Sequence, residues 1–207
     1  MYKTEQENFW KGEFGDDYIN RNTEEACLSG KIAFWSNVMS KTNGVKTCIE
    51  YGSNIGLNLK AIKTLYPQME LNAVEINDNA VEIMENDKSM SVNIFHDSIL
   101  DVEIDDSYDL SFTMGVLIHI NPSELKTVYE KLYKTSKKYI IIAEYYNPSP
   151  VELSYRGNMD RLFKRDFAGE FMDMFPDCKL QDYGFVYHRD NNFPLDDITW
   201  FLMKKEK

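Results

Sequence analysis

From residue 46 to residue 146 the chain alternates short apolar runs with stretches of helical periodicity. Residues 46–51, 71–76, 92–95, 108–114 and 139–146 have strand length and strand composition. Between them, Leu59, Ile62 and Leu65 recur at helical spacing with Pro67 beyond their end. Ala80, Ile83 and Met84 mark a helix over 78–85, and Asn121-Pro122 sets a cap and a helix-starting proline ahead of Leu125, Val128, Tyr129 and Leu132. Strands alternating with helices in this way predict a mostly parallel sheet covered on both faces. Right-handed crossovers make that a doubly wound, Rossmann-like α/β fold. Runs at 178–188 and 198–204 predict two further strands, seven in all, with 147–177 between them and the core. Ahead of the core, 23–41 reads as a helix in which Thr23 caps, Glu24 and Glu25 favour the N-terminus, and Leu28, Ile32, Trp35 and Val38 form the buried face.

A length of 207 residues fits one domain with a real core. The polar start leads into no secretory signal, and no run reaches membrane-spanning length, so the expected location is the cytoplasm, without a membrane partner. Cys27, Cys48 and Cys178 are odd in number and far apart, which argues against both a disulfide framework and a zinc site; no metal is expected. The formal charge of −11 disfavours a phosphate backbone and hence a nucleic acid partner.

The first strand ends in Glu50-Tyr51-Gly52-Ser53-Asn54-Ile55-Gly56, a strand-to-helix turn whose glycines allow a tight bend and close approach of a ligand. An ordinary tight turn uses the same residues. The spacing departs from the three-glycine dinucleotide fingerprint, which sets a nicotinamide reductase aside. Glu75 ends the second strand 19 residues past Gly56, where a carboxylate suits ribose hydroxyls. Asp97-Ser98 follows the third strand, where a carboxylate suits an adenine amino group. Singly, each acidic residue reads equally as a solvated loop charge; in order on successive strand ends they indicate a site.

Glu50-x-Gly52-x-x-x-Gly56, Glu75, Asp97 and Tyr108-Asp109-Leu110 resemble the class I S-adenosylmethionine-dependent methyltransferases over about residues 45–144. Longer runs at both ends resemble the methylases associated with pseudaminic acid biosynthesis: residues 9–22, Tyr145-Tyr146-Asn147-Pro148, Tyr155-Arg156-Gly157, 162–167 and 196–201. The resemblance implies S-adenosylmethionine as cofactor and S-adenosylhomocysteine as product. It places Glu50 and Gly52 at the methionine moiety, Ser53 and Asn54 among the other cofactor contacts, and Gly56 in helix–strand packing. Glu75 would hold the ribose, Ile76 would flank the adenine, Asp97 and Ser98 would read its edge, and Met114, Gly115 and Val116 would cover the cofactor. Asn54 stands where the superfamily often has glycine, and asparagine tolerates the left-handed backbone such a turn needs. The chain then divides into a lid and helix (1–44), a cofactor core (45–146) and a substrate-side segment with the last two strands (147–207).

In the lid, Phe9, Trp10, Phe14 and Tyr18 are too aromatic for a solvated tail; Trp10 and Tyr18 would face a sulfonium cation, and Arg21 would pair with the cofactor carboxylate. The same aromatics also suit capping of a sheet edge. His119 is the first candidate base and His188, beside Arg189 and Asp190, the second, while a structural role beside the cofactor suits His119 equally. Arg156, Arg161, Lys164 and Arg165 suggest a small anionic acceptor, such as an acidic or nucleotide-linked sugar, which the resemblance would place in a nonulosonic-acid or related surface-glycan pathway; a helix with Asp160 and Asp166 as partners is an equal reading. Tyr145, Tyr146 and Asn147 are expected at the same pocket. Methylation of a protein side chain, marked by an open acidic groove, and a non-catalytic nucleoside-binding module are the alternative functions.

Overall fold

The computed structural model describes residues 3–21 and 23–206, without the side chains of residues 26 and 159; Asn22, the last residue of the N-terminal aromatic run, lies outside them. Five strands run parallel: β1 (Thr47–Tyr51), β2 (Glu70–Glu75), β3 (Val92–His96), β4 (Tyr108–Met114) and β5 (Ser136–Glu144). The segment expected between core and last strands folds as a hairpin, β6 (Val151–Tyr155) with β7 (Asn158–Lys164). Two antiparallel strands, β8 (Cys178–Phe185) and β9 (Thr199–Lys205), complete a seven-stranded sheet in the order β3-β2-β1-β4-β5-β9-β8. Strand order therefore reverses between β1 and β4, which opens a crevice above their carboxyl ends.

Seven helices are described: α1 (Glu5–Lys11), α2 (Glu13–Ile19), α3 (Glu24–Met39), α4 (Leu57–Leu65), α5 (Asp78–Asn86), α6 (Leu125–Thr135) and α7 (Phe167–Met174). Trp35 and Val38 of α3, Leu59 and Ile62 of α4 and Met84 of α5 bury one face of the sheet against Cys48, Leu110, Phe112 and Trp200. Val128, Tyr129 and Leu132 of α6, with Phe167 and Phe171 of α7, bury the other against Ile49, Ile140 and Ile142. Neighbours Cys48 and Ile49, or Ile141 and Ile142, point into opposite cores, so both must be apolar; the near-continuous runs of the sequence follow from that.

Several boundaries and two elements differ from expectation. β5 begins three residues early and stops at Glu144, which leaves Tyr145 and Tyr146 beyond it, Tyr146 forming an isolated bridge with Arg165. The stretch holding Arg156, Arg161 and Lys164 is hairpin, not helix, so the intrahelical partners considered for it do not form. α7 was not expected; Asp166 caps it by accepting the Gly169 N–H at 2.8 Å. No described helix is long and apolar enough to cross a membrane.

Candidate functional site

The crevice between β1 and β4 holds a cavity of about 170 Å³. Its floor is the β1–α4 turn. Gly52 is left-handed (φ 75°), and a Cβ there would lie 2.8 Å from Val116, so only glycine lets the β4 loop close over the turn. Asn54 is left-handed too (φ 48°), as its residue type allows. Gly56 starts α4, and its open face is filled by Met84 and Met90 rather than by a strand.

Two buried carboxylates stand on the strand ends. Glu50 accepts from Asn58 Nδ2 at 2.6 Å through one oxygen, while the other is buried without a partner among the described residues. Burial raises the Glu50 carboxyl well above the ordinary range, against the Asn58 hydrogen bond and the nearby Lys31 charge. Lys31 comes from α3, donates to Asn58 Oδ1 at 2.9 Å and lines the cavity; burial lowers its pKa and the Glu50 charge opposes this. Sequence reasoning missed Lys31, although it stands three residues after Leu28 and four before Trp35, on the apolar stripe of α3. Glu75 accepts three backbone N–H groups, from Asn54 (2.6 Å), Ile76 (2.9 Å) and Asn77 (2.8 Å). Of the roughly four acceptor positions of a carboxylate, one is left for a ligand.

The roof is α1 and α2. Thr4 and Glu7 form a capping box, and the same Glu7 carboxylate accepts from Ser98 Oγ, tying α1 to the loop after β3. Trp10 packs edge-on against Phe14 and Tyr18 and lies 4.6 Å from the His119 ring, with its indole N–H buried and without a partner among the described residues. Trp10, Tyr18, Glu50, Gly52, Ser53, Asn54, Glu75, Ile76, Ser98, Met114, Gly115, Val116 and His119 all line this one cavity. Asp97 does not; it is exposed and accepts the Ser98 N–H at 2.7 Å. Arg21 is exposed with its guanidinium 5.5 Å over the Phe14 ring.

His119 sits on a 3-10 turn, Leu117–His119, just past β4. Glu144, at the end of β5, accepts the N–H groups of Val116 (3.0 Å), Leu117 (3.1 Å) and Ile118 (3.4 Å) and so shapes that turn. Burial lifts the Glu144 carboxyl to about 7, against those three hydrogen bonds. Its signal in the sequence was a lone carboxylate closing the run Ile140-Ile141-Ile142-Ala143. His119 Nδ1 is 2.6 Å from the Arg161 carbonyl oxygen. A carbonyl only accepts, so Nδ1 carries the proton and Nε2 keeps its lone pair. Burial lowers the His119 pKa to about 4, so the ring is neutral at physiological pH.

The remaining candidates lie elsewhere. His188 is exposed and paired with Asp197 at 2.9 Å. Arg161 holds Glu5 at 3.2 Å, and Arg165 holds Glu170 at 2.6 Å. Lys164 lies 4.9 Å over the Tyr145 ring, and Arg156 is exposed beside Tyr155. None of these, nor Tyr145, Tyr146 or Asn147, lines the cavity. Among the described residues no cluster of three or more His, Cys, Asp or Glu is gathered as a metal site.

No family model and no curated protein matches the chain. Solved structures do. The plantazolicin methyltransferase BpumL, determined with a monoazolic desmethylPZN analog and SAH, aligns with a TM-score of 0.67 at 12% identity over 97% of this chain and 94% of that one. An S-adenosylmethionine-dependent methyltransferase from Clostridium acetobutylicum aligns at 0.63 and 11% identity over 93% and 96%. TehB from Haemophilus influenzae aligns at 0.63 and 13% identity over 84% of this chain but 62% of its own, so the chain spans less than two thirds of TehB. At such identities the likeness establishes the fold, which is that of class I methyltransferases. The narrower resemblance to pseudaminic acid-associated methylases has no counterpart in these three structures.

Proposed function

We propose that the chain is an S-adenosylmethionine-dependent methyltransferase whose cofactor occupies the cavity above β1 and β4. The observation that carries this reading is a buried Glu50 oxygen without a partner among the described residues, in the same cavity as the Lys31 ammonium, which spends one of its hydrogens on Asn58. An ammonium and a carboxylate on one ligand answer both. Glu75, with one open acceptor position, supports a ribose hydroxyl, and buried Ser98 lies where an adenine edge would reach. Two solved neighbours are described with SAH or as S-adenosylmethionine-dependent, which agrees with this cofactor.

When bound, the cofactor would supply an electrophilic methyl group, which an acceptor lone pair could take with loss of the acceptor's own proton. The chain's own work is to bind, orient and exclude water. Trp10 and Tyr18 offer aromatic faces to a cation. Neutral His119 presents the Nε2 lone pair to an acceptor O–H or N–H; with a pKa of about 4 it orients that hydrogen bond and stores no proton at neutral pH. The cavity of about 170 Å³ is smaller than the roughly 300–1,000 Å³ of ligand pockets, so α1 and α2 act as a lid that shifts to admit the cofactor. An enclosed roof suits a small acceptor. The resemblance of the terminal runs supports a sugar-type metabolite of a nonulosonic-acid or related surface-glycan pathway.

Titration calorimetry with S-adenosylmethionine tests the reading. We expect micromolar binding that weakens at least tenfold in Glu50→Gln, which keeps an acceptor for Asn58 but cannot ionise to face the ammonium of the ligand. A native protein that binds no S-adenosylmethionine overturns it.

A further inference from the structure

Beside that cavity lies a more open cleft of about 610 Å³, lined in part by Lys3, Glu5, Glu124, Glu152 and Asp160. Thr4, Gln6 and Asn121 line both spaces, so the cleft leads to the cavity wall beneath α1. Its charges do not cancel. Lys3 is held by Asp101 at 2.5 Å and Glu5 by Arg161 at 3.2 Å. Glu124, Glu152 and Asp160 form no ion pair among the described residues, although Lys3 is close enough to Glu124 to feel its field.

Gln6 gives an independent indication. Its side chain is buried, at 5% exposure, and its Nε2 donates to the Asp160 carbonyl oxygen at 3.0 Å. Because a carbonyl only accepts, the amide orientation is determined, and the end left over is Oε1. That oxygen is buried without a partner among the described residues, on a residue that lines both cleft and cavity. A buried acceptor left unpaired is a standing cost that a ligand donor removes.

We propose that the methyl acceptor is a small amine-bearing molecule whose ammonium sits among Glu124, Glu152 and Asp160, with a donor on Gln6 Oε1 and its reacting end past Asn121 in the cavity. The charge is opposite to that suggested by Arg156, Arg161, Lys164 and Arg165, none of which lines the cleft. An open acidic groove also marks methylation of a protein side chain; the cleft volume, within the range of small-molecule pockets, favours the small acceptor. Its carboxylates also offset the repulsion between an ammonium and a nearby sulfonium. The fate of the acceptor rests on the methyltransferase reading above; the charge preference of the cleft does not.

The test is an NMR titration of the full chain with three probes of one shape and different charge: benzylamine, benzyl alcohol and benzoate. Benzylamine should bind at least tenfold more tightly than the other two. Glu124→Gln with Glu152→Gln should weaken it at least tenfold, while Glu82→Gln with Glu85→Gln on exposed α5 leaves it unchanged. No measurable benzylamine binding, equal binding of benzoate, or affinity that survives the cleft substitutions overturns the proposal. Calorimetry with S-adenosylhomocysteine on the same proteins keeps the two readings apart. Cofactor binding without amine preference rejects the cleft assignment alone, and amine preference without cofactor binding rejects the methyltransferase reading alone.

Discussion

Burial moves His119 and Glu144 in opposite electrostatic directions, and each shift carries its own pH dependence of stability. His119 falls from 6.5 to about 4, so between those values the unfolded chain binds more protons; its contribution is present above 6.5 and lost as pH falls toward 4. Glu144 rises from 4.5 to about 7, so the folded chain binds more protons in that window; its contribution is full below 4.5 and lost as pH rises toward 7. The slopes oppose each other and are bounded at roughly 1.4 kcal/mol per pH unit for each group. Substitution separates them. Relative to the native protein, His119→Gln should gain stability as pH drops from 6.5 to 4, and Glu144→Gln should gain as pH climbs from 4.5 to 7. Urea unfolding at four pH values reads both, and a flat difference across the window means that the group titrates normally.

At the scale of elements, Glu7 both shapes the lid and ties it to the body. Its carboxylate closes the α1 capping box and takes the Ser98 hydroxyl from the loop after β3. Ser98→Ala removes the tertiary contact and leaves the box intact. Amide exchange in α1 should rise at least tenfold while exchange in β4 and β5 stays as it was; unchanged α1 protection would place the tie elsewhere, in Gln6, which donates to the Asp160 carbonyl oxygen at 3.0 Å, and in Glu5, held by Arg161 at 3.2 Å. The β6–β7 hairpin was legible and went unread. Val151-Glu152-Leu153-Ser154-Tyr155 alternates with period two, and Arg156 and Gly157 turn with positive φ of 50° and 85°. Its cluster of basic residues drew attention to charge, whereas β7 uses Arg161 to hold Glu5 of the lid.

For the whole molecule, the central strands are locked by packing on two faces. Phe112 on β4 is fully buried with its ring 4.6 Å from that of Trp35, joining α3 to the sheet. Phe112→Ala should cost about 3–5 kcal/mol in urea unfolding, the usual range for emptying an aromatic core site. Cofactor affinity of the fraction still folded should stay within threefold, because Phe112 does not line the cavity. A large affinity loss at small stability cost would mean that β4 positions the site through its packing.

The amino-acid order by itself determined the alternation of strands and helices, the left-handed turn at Gly52 and Asn54, and the acidic residues on successive strand ends. Those are local or periodic properties, set by which backbone angles a residue tolerates and which side of an element must be apolar. Only the tertiary structure decided what each polar side chain meets. The Arg161 carbonyl that makes His119 a neutral acceptor is 42 residues away, and the Asp160 carbonyl that orients Gln6 is 154 away. Lys31, Glu144 and the acidic cleft likewise acquire their character from partners on other elements. Periodicity says that a side is buried; it carries no record of what will be buried against it, and protonation, charge balance and unpaired hydrogen bonds depend on that partner.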